Sequence, residues 1–146
     1  MSVKEKLSAL GLTLPTAAAP VAAYVPAVRS GNLVFTAGQL PVVDGKLVKE
    51  GKVGREVTAE DAKELAQICA LNALAAISLV ADLDQVERVV RVGGFVNCAP
   101  GFTAIPGVVN GASELLVKVF GDVNGKHART AVGVAELPLN LSLIHI

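Results

Sequence analysis

The sequence predicts an α+β fold, a two-layer sandwich with two helices packed on one face of a mixed sheet. Three observations predict it. Short β-like segments come first as hairpins, after which helix, strand, helix and strand alternate. The 146 residues are 52% apolar and 18% charged, enough for one domain with a sizeable core and the reverse of a disordered composition. Apolar residues in two long segments recur at helical spacing instead of alternating.

Taken in order, residues 3–10 read as a short helix with Val3, Leu7 and Leu10 on one face. LPTAAAPVAAYVP reads as an extended arm, so 1–23 is an N-terminal helix and arm on a single 1–146 domain. Tyr24–Val28 and Leu33–Ala37 form a hairpin around Arg29-Ser30-Gly31-Asn32, and Val42-Val43 and Lys46–Val48 form another around Asp44-Gly45. Thr58 begins the strongest helix, with Asp61 approximating a capping box and Leu65, Ile68, Cys69, Ala76 and Leu79 spaced for burial. Glu60 and Asp61 read as helix-start charge. After a turn at Asp82–Asp84, Val86–Cys98 reads as a long strand containing Gly93-Gly94. A second helix spans about Pro106–Phe120, with Val109, Ala112, Leu116, Val119 and Phe120 buried, Gly107 and Gly111 weakening it and Gly121 ending it. Asp122–His127 is then a loop, and Arg129–Leu137 the last strand.

Thirteen basic residues balance 13 acidic ones, and only 3% of the chain is aromatic. Neutrality without a basic stretch argues against gripping nucleic acid. So apolar a chain of this size points to surface buried by self-association. Cys69 and Cys98 stand apart from any CxxC pair and read as small buried hydrophobes. MSVKEKLSALGL has no signal-peptide core, no apolar run spans a bilayer, and the expected setting is the cytoplasm. There is no GxGxxG after a strand, Walker lysine, HExxH or GxSxG. Arg129, where the last strand leaves its loop, can present a planar fork to a carboxylate. His127, two residues earlier, reads as solvated, and His145 lies too near the end to expect chemistry there.

YVPAVRSGNLVFTAGQLP, the Asp-Gly hairpin, the long helix, the Val-rich strand near Phe95 and ARTAVGVAELP together resemble the RidA/YjgF family, in register from about Tyr24 to Pro138. The longer N-terminus and the APGF segment resemble a divergent, endoribonuclease-like branch of it. The resemblance implies a chorismate-mutase-like fold, a homotrimer, and ligand clefts between subunits. It implies that Arg129 holds the carboxylate of a 2-imino acid, which water converts to a 2-keto acid and ammonia without metal or organic cofactor. It further implies that Tyr24 closes the cleft from the neighbouring chain, Gly38 lies against the ligand, Phe95 lines the wall, and the main chain at Ala131 contacts the imine end.

Three positions depart from the deaminase pattern: Ala37 replaces a Ser, Ala131 a Cys, and Ile144 a Glu that helps place the attacking water. The ending LSLIHI resembles adapter read-through, so 141–146 are expected to be a non-native tail. The expected function is hydrolytic deamination of reactive 2-imino or enamine acids. A small-carboxylate-binding trimer without turnover is the alternative, and an endoribonuclease the second.

Overall fold

Two tight turns set the N-terminal third. Strands β1 (Ala27–Ser30) and β2 (Leu33–Thr36) pair antiparallel, with Ser30 opposite Leu33 across a loop in which Gly31 has φ 58°. Strands β3 (Val42–Val43) and β4 (Lys46–Leu47) close on Asp44 and Gly45, at φ 50° and 76°, the left-handed pair such a turn requires. The computed structural model describes residues 1–19 and 22–145. Pro20 and Val21 of the expected arm lie outside the described residues, and so does Ile146.

Helix α2 (Ala59–Ile77) starts as its sequence requires. The Thr58 side chain accepts from the Asp61 N–H, and Glu60 and Asp61 lie at its positive end. Asp61 is also hydrogen-bonded by Lys49, which holds its carboxyl below the usual range. Thr58→Ala is expected to cost about 1 kcal/mol, read as a lower urea midpoint with unchanged slope.

Strand β5 (Arg91–Asn97) is the centre of the main sheet. It pairs parallel with β6 (Ala128–Val134) and antiparallel with β7 (Leu143–His145), and Gln39 bridges to His145 on the far side of β7. Between β5 and β6 runs helix α3 (Ile105–Gly125), the crossover that a parallel pair needs. Val92 and Val96 on β5 and Leu143 on β7 meet Leu65, Cys69 and Leu74 of α2 and Val108, Val109, Leu115 and Val119 of α3 in one core. The two helices touch backbone to backbone at one point. A Cβ on Gly111 would fall 1.9 Å from the Lys63 carbonyl oxygen. Helix α1 (Val3–Ala9) carries a Ser2/Glu5 capping box and docks with Val3 and Leu7 buried. Lys6 Nζ donates to the Val119 carbonyl at 2.9 Å.

Several boundaries differ from the sequence reading. The long strand starts at Arg91, not Val86, because 86–89 pair with no strand among the described residues; Val89 instead donates to the Asn124 carbonyl, and only the Val90 carbonyl accepts from Ala128 of β6. Gly121 (φ 86°, ψ 169°) breaks α3 as expected, yet helical structure resumes to Gly125 where a loop was expected. The last strand stops at Val134, short of Leu137. Leu10 and Leu79, expected to be buried, are exposed because each lies just beyond its helix. Leu141 and Leu143, within the LSLIHI ending, are buried. Among the described residues, no helix is long and apolar enough to cross a membrane.

Candidate functional site

Arg129 is the second residue of β6, in register with buried Val92, so its side chain leaves the sheet on the helix side. There it lies along α3. Nη1 donates to Asn110 Oδ1 at 2.7 Å and Ser113 Oγ at 3.2 Å, and Nη2 to the Pro106 carbonyl at 3.4 Å. Positions 106, 110 and 113 share one helical face, so successive turns hold the guanidinium. All three acceptors are neutral. Nε–H and one Nη2–H have no partner among the described residues, and together they form one edge of the fork. No described carboxylate pairs with Arg129. An exposed, oriented, uncompensated guanidinium with a free edge is suited to a carboxylate.

His127 differs from the sequence reading. It is half-buried, with Nε2 3.0 Å from Ser113 Oγ and Nδ1 2.6 Å from the Gly125 carbonyl. Ser113 therefore touches both His127 and Arg129. Neither Asn110 nor Ser113 stands out in the sequence, because their relevance depends on β6 returning beside the crossover helix.

The other expected site residues do not gather around Arg129 within one chain. Ala131, two residues along β6, is half-buried against the core. Phe95 is paired in register with Val132 and Ile144, so it lies on the opposite face of the sheet from Arg129. Ile144 is half-buried there, while His145 turns to the helix side. Gly38 precedes the residue that bridges to β7, three strand spacings or roughly 14 Å from β6. Tyr24 is half-exposed ahead of β1. Asn72, a polar break in the apolar run of α2, secures the turn beyond Gly38. Its Nδ2 donates to the carbonyls of Leu40 (2.8 Å) and Val42 (3.0 Å), on either side of Pro41.

Both cysteines are free thiols, and burial raises both of their pKa values. Neither is poised as a nucleophile.

Fold and site together define a chorismate-mutase-like α+β protein with an exposed arginine, paired with no described carboxylate, on an edge strand. The chain belongs to the family described as "YjgF/chorismate mutase-like, putative endoribonuclease", whose model matches residues 4–146. It is 42% identical to Protein TCP17 of Trypanosoma cruzi over 142 residues, covering 97% of this chain and 89% of that protein. The crystal structure of Atu1372 from Agrobacterium tumefaciens, of unknown function, shares 43% identity at a TM-score of 0.89, over 98% of this chain and 88% of that one. A Shewanella oneidensis MR-1 structure described as "a putative endoribonuclease" superposes at a TM-score of 0.94 with 29% identity, over 99% and 96% of the two chains.

Proposed function

We propose that this chain hydrolyses reactive 2-imino acids and their enamine tautomers to 2-keto acids and ammonia, in a cleft between copies of a homotrimer. The observation that carries this reading is Arg129, held by three neutral acceptors with one fork edge open. A carboxylate on that edge fixes the ligand, and the electrophilic carbon lies one bond away. Assembly from several copies fits the separation of Gly38 and Tyr24 from Arg129. It also fits the exposed apolar side chains of Tyr24, Phe35, Val43 and Val132.

Ammonia release from 2-iminopropanoate generated in situ tests the reading. Arg129→Ala should lower kcat/KM by roughly 100-fold or more, because a charge-assisted, bidentate contact is lost. Arg129→Lys should recover little, since an ammonium cannot copy the fork. Equal rates with and without protein would sink the proposal. A second reading, capture of small carboxylic acids without turnover, draws on Ala37, Ala131 and Ile144, none of which has a side chain able to hydrogen-bond or carry a proton. A thermal upshift with pyruvate and no hydrolysis would favour it. Zero net charge and scarce aromatics weigh against RNA cleavage.

A further inference from the structure

Three neutral oxygens hold Arg129, and Asn110 Oδ1, at 2.7 Å, is the nearest of them. An aspartate has the same shape and makes a charge-assisted bond to a guanidinium that is about twice as strong. Helix propensity does not separate the two, since Asn and Asp rank together. Bracing Arg129 therefore favours Asp at this position, while Asn preserves what Asp would cancel, the net charge of the guanidinium. We infer that Asn110 sets the anion affinity of the site: it orients Arg129 with a neutral oxygen and leaves the charge free for a ligand carboxylate. The inference rests on the carboxylate-binding half of the imino-acid reading above, and holds with or without turnover.

Among the three anchors, Asn110 is the one whose identity decides this. The Pro106 acceptor is a main-chain carbonyl, which no substitution can charge. Ser113 Oγ is the more distant side-chain anchor, at 3.2 Å, and is shared with His127 Nε2 at 3.0 Å. Asn110 is half-buried; its Oδ1 accepts from Arg129, and its Nδ2 donates to none of the described residues. Asn110→Asp thus adds a charge without removing a hydrogen bond.

The anchored Nη1 points away from the open Nε/Nη2 edge, so Asn110 does not touch a carboxylate bound there. It acts on the ligand through Arg129, as a positioning residue. With hydrogen bonds of ordinary length on both sides of the guanidinium, an acid at position 110 and the ligand carboxylate stand roughly 7–8 Å apart. Like charges at that separation near a surface repel enough to weaken binding about tenfold. They also lie within one Debye length at ~0.1 M salt, so the effect is sensitive to ionic strength.

Calorimetric binding of pyruvate to the assembled protein, at about 0.05 M and about 1 M NaCl, provides the test, with ammonia release from 2-iminopropanoate measured in parallel. Asn110→Asp should raise the pyruvate Kd about tenfold at low salt, with a melting temperature no lower than that of the wild type. Asn110→Ala loses an anchor but keeps the charge. It should raise Kd no more than about threefold, because Ser113 and Pro106 still hold the guanidinium. At high salt the gap between Asn110→Asp and the wild type should shrink to about twofold, as the repulsion is screened. A residue that only braces Arg129 gives the opposite order, with Ala the weaker binder and no such dependence on salt. That order, or a wild-type Kd in Asn110→Asp, would overturn the inference, and wild-type hydrolysis would still leave the imino-acid reading standing. Binding in the expected order without hydrolysis would uphold the role of Asn110 and remove turnover. A wild type that binds no pyruvate would overturn the inference, and one that also releases no ammonia would remove both.

Discussion

Replacing Gly111 with alanine is expected to lower the melting temperature by roughly 6 °C, while the same change at Gly107, four residues earlier on α3, raises it slightly. A methyl at Gly111 would sit 1.9 Å from the Lys63 carbonyl oxygen and 2.8 Å from its carbon. Both are backbone atoms of α2, so no rotamer change relieves the clash. The helices must separate along their whole contact, and the buried side chains on either side lose close packing. Overpacking of this kind costs about 3 kcal/mol, outweighing the roughly 1 kcal/mol that alanine gains over glycine in a helix. Gly107 is exposed, with nothing within 4 Å of the place its methyl would take, so there only the helical gain remains. Thermal unfolding of both variants at one protein concentration checks the pair. Equal shifts would mean that the two helices do not meet at Gly111.

The second large effect is acid sensitivity from His145. Its ring is buried, and neither nitrogen has a hydrogen-bond partner among the described residues. Desolvation first, and His127 second, lower its pKa to about 4. Above pH ~6.5 the ring is neutral folded or unfolded and adds no pH dependence. Between ~6.5 and about 4 the unfolded chain binds a proton that the folded chain refuses, so stability falls as pH falls. Across that window the loss approaches about 3 kcal/mol. Urea unfolding at pH 7.5, 6, 5 and 4 should show the decline, and His145→Leu should flatten it. Leu also removes two unsatisfied polar atoms, so that variant should be no less stable at pH 7.5. An unchanged slope in His145→Leu would assign the acid effect elsewhere.

Where local chemistry decides, the sequence is readable. Asp44-Gly45 specifies its turn through backbone conformation alone, and Thr58 marks the start of α2 through a contact three residues away. The features that differ from expectation depend on distant partners. Val86–Val90 has the β-branched content of a strand, but among the described residues no strand runs beside 86–89. Gly107 and Gly111 look equivalent as helix weakeners, and only the approach of α2 separates them. The site shows the same division. Arg129 stands out by its chemistry and place in the chain, whereas Asn110, Ser113 and half-buried His127 become meaningful only once the parallel crossover sets β6 against α3. His145, unremarkable by its position near the end, is a buried ring because its pairing with Gly94 turns it to the helix side of the sheet.

β7 is the link through which residue 39 is tied to β5, so that bridge cannot form until residues 143–145 have been synthesised. At ribosomal rates of roughly 5–20 residues per second, the apolar face of α2 then waits several seconds or more for its final cover. Folding of this chain is therefore completed after translation has passed β7.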